Sequence, residues 1–330
     1  MIKRLNIAAG VLFKSALTGP LQLELRINNF CNLNCIACFD HAPGLKKKKA
    51  EYLPLGEIKK ILARAKKLDV KEIIVSADGE PLMHKDILPI LTLVRKNGFS
   101  CTLFTNSTLL DKRLAEKIGG LVDNLRVSVW AGDAETYSIV HNGISRKVFY
   151  DLEKSLKSVA DTKARLILYN TIFNKNHNNI KEMLGFAEEV GADEVFFTEM
   201  SPRPHTGSLA LTKKQEKEVQ DLAGRLKSRI KNNLKDIYRQ EDNKKIPCYM
   251  GFSYCIISYD ASVLPCCGSS QKDSMGSIRE DNLEDIWYGR RYSCFRKKAL
   301  KKKMPLKRCA LVCPSQAYND YLDRWLGWLA

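Results

Sequence analysis

The chain has 330 residues, 45% of them apolar, with 54 Lys and Arg against 37 Asp and Glu for a formal net charge of +17. That composition supports an extensive core, the length asks for one large domain plus a smaller one, and no apolar run reaches the roughly 18–20 residues of a membrane-spanning helix. The basic surplus is either a solvated surface or an attraction for something anionic; no nucleic-acid module with interleaved aromatics accompanies it, so nucleic acid is disfavoured without being excluded.

Residues 1–20 read as a short amphipathic lead-in, because the apolar run Ile7–Phe13 is too short for a signal peptide and no cleavage signal follows. Leu21–Ile27 alternates apolar and polar residues as a strand and runs into Cys31-Asn32-Leu33-Asn34-Cys35-Ile36-Ala37-Cys38. Residues 39–53 form a loop carrying Pro43, Gly44 and Lys46–Lys49. Pro54 then opens a helix whose Leu55, Ile58, Ile61, Leu62, Ala65 and Leu68 recur at helical spacing. Further on the pattern predicts strand Glu72–Ser76, helix Lys85–Lys96 ended by Gly98, strand Ser100–Thr105, helix Lys112–Ile118 and strand Leu125–Trp130. A helical stretch through Val159, strand Ala164–Thr171, helix Asn179–Val190 and strand Glu194–Thr198 complete six strand–helix repeats.

Such repeats imply right-handed crossovers and a parallel sheet with helices outside. Six units are too few for a closed eight-fold barrel, so the expected architecture is α/β, a partial (β/α)6 barrel. Scaffolds of this kind gather their sites at the carboxyl ends of the strands. The cysteine triplet follows the first strand and Asp78-Gly79-Glu80-Pro81 the second. Asn106 follows the third, Ser128 ends the fourth, and Asn170 lies near the end of the fifth.

Residues 201–211, with Pro202, Pro204 and Gly207, break the pattern; a highly charged helix Lys213–Ile237 and a polar stretch 239–245 follow. The expected division is a core over 21–240, a cysteine-rich domain over 246–316, and a closing helix over 317–330 bearing Tyr318, Tyr321, Trp325 and Trp328. Seven of the eleven cysteines lie beyond Ile246.

An odd number of cysteines in such clusters is a poor disulfide framework and reads as metal ligation in a reducing compartment, hence a cytoplasmic location. Three thiols at Cys31, Cys35 and Cys38 can surround one metal centre and leave one position open, which is where chemistry happens. Phe39 after Cys38 excludes a c-type haem. Zinc with His41 as fourth ligand is one reading; a 4Fe–4S cluster on three thiolates fits best. Cys101, inside a strand, reads as a small buried apolar residue.

At this point the sequence resembles the radical S-adenosylmethionine (SAM) superfamily, whose signature is this Cys-x3-Cys-x2-Cys after the first strand. Asp78-Gly79-Glu80-Pro81 resembles its Gly-Gly-Glu-Pro motif, with Asp78 in place of the first glycine. The resemblance implies that this turn receives the SAM amino group, and that Asn106, Ser128 and Asn170 touch the ribose or methionine part, where strand-end caps are the alternative. His141 and Arg146 are both candidates for the SAM carboxylate. The implied reaction is reductive cleavage of SAM to a 5′-deoxyadenosyl radical that abstracts hydrogen from substrate.

Cys248, Cys266, Cys309 and Cys313 resemble the ligands of a SPASM/Twitch domain, implying one auxiliary 4Fe–4S cluster. Cys267 is an alternative to Cys266, and a structural zinc is the alternative occupant. The expected function is a radical SAM oxidoreductase acting on a small substrate, anionic in view of the charge, with the auxiliary cluster accepting an electron and a flavodoxin or ferredoxin supplying the first one. Only about twenty residues precede the first strand, which is expected to leave no room for the leader-binding domain of peptide maturases. A peptide, nucleotide or RNA substrate is the second reading, and a non-catalytic iron–sulfur carrier or sensor the alternative of another class. No general base can be named from the sequence.

Overall fold

The computed structural model describes residues 2–237, 247–301, 306, 319 and 322–324. It begins with helix Ile2–Leu12 (α1), pinned by the buried Lys3, whose ammonium donates to the Leu68 carbonyl at 2.9 Å. Six short strands then alternate with helices. The strands are Gln22–Arg26 (β1), Glu72–Ser76 (β2), Ser100–Thr105 (β3), Asn124–Ser128 (β4), Arg165–Ile172 (β5) and Glu194–Glu199 (β6), parallel and side by side in chain order. Between them run Leu55–Lys67 (α2), Ile87–Lys96 (α3), Lys112–Gly119 (α4), Ala134–Val140 (α5), Arg146–Ala160 (α6) and Ile180–Glu189 (α7). Each helix buries one stripe, such as Ile58, Ile61, Leu62 and Ala65 of α2, in the core that the strands' aliphatic side chains share. The result is the open, partial (β/α) barrel that the repeats predict.

After β6 comes Lys213–Arg225 (α8), where the sequence predicts a helix continuing to Ile237. The chain leaves the helix twelve residues early because tertiary bonds outbid local propensity. Lys231–Asn232 (β7) joins the edge of β6, and the Asn233 side chain bonds both the amide of Phe197, at 2.7 Å, and its carbonyl, at 3.0 Å. Likewise the single helical stretch before Val159 is two helices, parted by the left-handed pair Asn142 and Gly143. The helix expected from Lys85 starts at Ile87, because Pro81–Met83 forms a separate short turn capped by the Glu80 side chain.

Beyond residue 247 the chain rejoins the same sheet. After Met250–Ser253 (α9), Tyr254–Ile257 (β8) pairs parallel with β1 on the side opposite β2. Ser262–Leu264 (β9) and Gly276–Ser277 (β10) then extend the sheet antiparallel. Leu283–Tyr288 (α10) and Arg290–Leu300 (α11) follow. β1 therefore sits between β2 and β8, and the cysteine loop leaves from its carboxyl end. Cys309, Cys313, the stretch 239–245 and Tyr318, Tyr321, Trp325 and Trp328 lie outside the described residues. No helix among the described residues is long and apolar enough to cross a membrane.

Candidate iron–sulfur and cofactor site

The β1–β2 ladder continues past both strands. Ile27 donates to the Ser76 carbonyl at 2.9 Å, Asp78 to that of Asn28 at 3.0 Å, and Glu80 to that of Phe30 at 2.9 Å. The lead into Cys31 thus lies flat against Asp78-Gly79-Glu80. A Cβ at Gly79 would stand 2.0 Å from the Phe30 carbonyl oxygen, so only glycine permits this approach.

The three thiols are partly buried. Cys31 Sγ accepts from the Leu33 amide at 3.4 Å and Cys38 Sγ from the His41 amide at 3.3 Å. Cys35 Sγ lies 2.9 Å from His141 Nδ1, while His141 Nε2 faces the Val129 carbonyl at 3.0 Å. A carbonyl only accepts, so Nε2 carries the ring proton and Nδ1 is the acceptor. Burial pulls His141 down to about 4, so the ring is neutral near pH 7. Burial pushes the thiols up, Cys31 to about 11, and Cys35 is raised further by the charges of Cys38 and Cys31. Cys35 feels the charges of both Cys31 and Cys38, so holding all three as thiolates would need a cation among them, although no three such side chains among the described residues are arranged as a metal site. His41 directs its Nε2 at the Asp78 carbonyl, 2.9 Å away.

Glu80 is 1% exposed. Its carboxylate accepts from the Leu82 amide at 2.9 Å, the Thr105 hydroxyl at 2.6 Å and the Asn106 amide at 2.7 Å. Burial nonetheless pushes it up to about 7 against those three donors. The side chain thereby ties the end of β2 to the end of β3. Its own carbonyl takes the Asn28 amide group at 2.9 Å. The carbonyl of Gly79 accepts no hydrogen bond from the described residues. Asp78, standing where the motif has glycine, is 3.1 Å from the Arg26 guanidinium, which also holds Glu24 at 3.0 Å.

These residues line a cavity of about 1240 Å³ at the carboxyl end of the sheet, together with Asn106 and Ser128. Asn170 does not line it. That side chain is 1% exposed and accepts the Trp130 amide at 2.8 Å, while Asn176 donates to the Trp130 carbonyl at 2.9 Å. Together they hold Trp130 at φ 62°, with its ring stacked on His141 and facing the cavity. Of the two carboxylate candidates, His141 reaches the cavity. Arg146 is exposed on α6, 3.8 Å from Glu135, and does not line it. Sequence reasoning missed Arg26 and Trp130, which line the cavity and look locally like ordinary strand residues.

Residues 267–271 also line the cavity, with the Cys267 carbonyl 3.4 Å from the Arg26 guanidinium. Cys266 is buried in an apolar cluster with Tyr254, Ile256 and Leu264, against which both Cys248 and Cys267 pack, and Cys267 also lines the cavity. Cys255 is fully buried and Cys294 is exposed on α11; Cys101 is fully buried in β3, as its strand position predicts.

Comparison with known proteins agrees with this geometry. Residues 25–188 match the radical SAM superfamily, and residues 248–314 match SPASM, an iron–sulfur cluster-binding domain. The chain is 24% identical over 296 residues to the tungsten-containing aldehyde ferredoxin oxidoreductase cofactor-modifying protein of Pyrococcus furiosus, covering 83% of this chain and 82% of that one. It is 26% identical to the AdoMet-dependent heme synthase of Methanosarcina barkeri, covering 92% and 95%. SuiB of Streptococcus suis, solved with S-adenosylmethionine, superposes with a TM-score of 0.67 at 18% identity, over 87% of this chain and 70% of that one. The chain belongs to the radical SAM superfamily, an enzyme family using a 4Fe–4S cluster and S-adenosylmethionine, and carries a C-terminal SPASM domain for auxiliary iron–sulfur binding.

Proposed function

We propose that the protein is a radical SAM oxidoreductase acting on a small molecule. The observation that carries this reading is the single cavity of about 1240 Å³ whose lining includes Cys31, Cys35 and Cys38, the Gly79-Glu80 turn and Cys267. That volume exceeds the roughly 300–1,000 Å³ of a site for one drug-sized ligand, and it would have to hold the cluster and SAM as well as a substrate. When bound, cluster and SAM supply the 5′-deoxyadenosyl radical that removes a hydrogen atom from substrate.

The chain's own residues do the rest. Cys31, Cys35 and Cys38 hold the first cluster, and the unengaged Gly79 carbonyl faces the SAM ammonium. Asn106 and Ser128 would contact the cofactor from the cavity lining, and Asn170 keeps Trp130 in place. Cys248, Cys266, Cys309 and Cys313 would hold one auxiliary 4Fe–4S cluster, which would supply an acceptor for the electron left on the substrate. The domain limits 21–240 and 246–316, a cytoplasmic location and a flavodoxin or ferredoxin donor belong to the same reading. An anionic substrate is favoured by the net charge of +17 alone, since the lining sets Glu24, Asp40, Asp78, Glu80 and Glu199 against Arg26, Lys48 and Arg203. Two relatives matched over most of their length are named for modifying a cofactor and for heme synthesis, which supports a small molecule. SuiB was solved with its precursor peptide SuiA, which favours a peptide as the second reading.

The test is anaerobic reconstitution and reduction with SAM present. 5′-Deoxyadenosine is expected to accumulate well above a Cys35→Ala control; none above that control overturns the reading. Iron near eight atoms per chain is expected for two cubanes, and about four would refute the auxiliary cluster.

A further inference from the structure

Helix α1 is apolar on two sides, and the fold covers only one of them. It turns Ile7 and Gly10 inward, together with Lys3, whose ammonium ends on the Leu68 carbonyl. On the far side Ile2, Leu5, the half-buried Ala9 and Leu12 recur at intervals of three, four and three residues, which is one stripe of an α-helix. The Phe13 amide donates to the Ala9 carbonyl at 2.9 Å, so Phe13 continues that stripe, and Leu17 follows in the loop beyond. Ile2, Leu5, Leu12, Phe13 and Leu17 are between 51% and 74% exposed. A single exposed leucine is ordinary. A continuous apolar stripe on a helix whose opposite face is already buried is a docking surface.

The charges around the stripe say what docks there. Val11 of α1 and Leu300 of α11 pack against one small cluster, Ala8, Tyr249 and Leu322, so the carboxyl end of α11 stands beside α1. Within a turn of Leu300 are the exposed Lys297, Lys298 and Lys301, while Arg4 and Lys14 are exposed on and just after α1. Neither helix contains an acidic residue, and none of these five cations has an ion pair among the described residues. Two carboxylates adjoin this corner and both are engaged, Asp69 with Lys3 and Lys71, and Asp323 with the Tyr249 hydroxyl at 2.6 Å. A second copy of the chain would bring the same cations face to face. A surface that is apolar inside and anionic outside satisfies both halves of the patch.

We propose that α1, with the basic end of α11, docks on an anionic lipid bilayer. The stripe enters the boundary between headgroups and acyl chains, and Arg4, Lys14, Lys297, Lys298 and Lys301 meet the lipid phosphates. The protein lies on the membrane by this corner without crossing it. None of these residues lines the cavity, so docking and the chemistry of the cavity are separable.

The experiment is sedimentation of the reconstituted protein with vesicles of phosphatidylcholine alone, or of equal parts phosphatidylcholine and phosphatidylglycerol. Co-sedimentation is expected with the anionic vesicles and not with the neutral ones, and it weakens as salt is raised. Leu5→Gln with Phe13→Gln is expected to lower the partition coefficient on anionic vesicles about tenfold or more, and Lys297→Gln with Lys298→Gln about tenfold. Both pairs are expected to keep the unmodified urea midpoint and iron content, because all four side chains are exposed. Phe13→Trp is expected to add an emission that shifts to the blue on the anionic vesicles, as insertion requires. No binding to anionic vesicles, binding that the Leu5 and Phe13 changes leave unaltered, or an unshifted emission from Phe13→Trp would each overturn the proposal. A lowered urea midpoint in the Leu5 and Phe13 variant would overturn it too, by making the stripe part of the chain's own core. So would a dimer in light scattering that this variant dissociates, which makes a second copy the occupant.

Discussion

Replacing Gly79 by alanine tests whether the cysteine loop and the Gly-Glu-Pro turn are one fitted unit. The new methyl carbon would meet the Phe30 oxygen at 2.0 Å, its carbonyl carbon at 2.3 Å and its nitrogen at 2.6 Å. All three atoms are backbone, so no rotamer change relieves the contact and the two segments must part. Overpacking of this kind costs about 1–3 kcal/mol. Parting also breaks the 2.9 Å bond from the Glu80 amide to Phe30, at about 1 kcal/mol more. The expected total is a loss of about 2–4 kcal/mol, read as a lower urea midpoint at unchanged slope, with reduced iron uptake on anaerobic reconstitution. Gly185 in α7 supplies the reference: a Cβ there meets nothing within 4 Å, so Gly185→Ala is expected to gain about 0.5–1 kcal/mol. A Gly79→Ala protein that matches the unmodified one in urea midpoint and iron content would refute the reasoning.

The other outcomes follow from individual side chains. Glu80 stands near 7 in the folded protein against an ordinary value of 4.5, so the native state holds its proton over a range where the unfolded chain has lost it. Stability is therefore expected to fall by about 3 kcal/mol as pH rises from about 4.5 to about 7 and to level off above, with Glu80→Gln flattening that window; parallel profiles in urea would contradict this. Cys101→Ala removes a fully buried sulfur from β3 and is expected to cost about 1 kcal/mol with no change in iron content; lost iron would make it a ligand. Asn170→Ala leaves the Trp130 amide without its partner and is expected to cost about 1–3 kcal/mol and shift tryptophan fluorescence; an unchanged spectrum and midpoint would remove Asn170 from the support of the cavity wall.

Much of this was legible in the sequence, for reasons that can be named. β2 and β3 have the boundaries their buried runs predict, and the cysteine triplet follows the first strand and lines the cavity at the carboxyl end of the sheet. What escaped was set by distant partners. The charged segment 213–237 holds no period that would end a helix at Arg225; Asn233 bonding Phe197 does that. Trp130 carries a strong strand preference, yet Asn170 and Asn176, some forty residues later, turn it into a left-handed conformation. Arg26 reads as the polar step in an alternating strand, and nothing local tells that its partners are Asp78 and the Cys267 carbonyl. Cys266 and Cys267 are adjacent in sequence and both adjoin the apolar cluster on which Cys248 packs, so they stay paired alternatives.

The placement of β1 has a consequence for how the protein is made. Its edge away from β2 is covered by β8, whose residues 254–257 follow some 230 positions later. While the chain is synthesised, Gln22–Arg26 presents a bare row of peptide groups until Tyr254–Ile257 has emerged. Pairing of such long sequence separation is slow to form, and open edges of this kind template aggregation in the meantime. The strand that delivers the cysteine loop is therefore among the last to be completed. Iron delivered before that moment meets the three thiols on a loop whose supporting strand has only one neighbour.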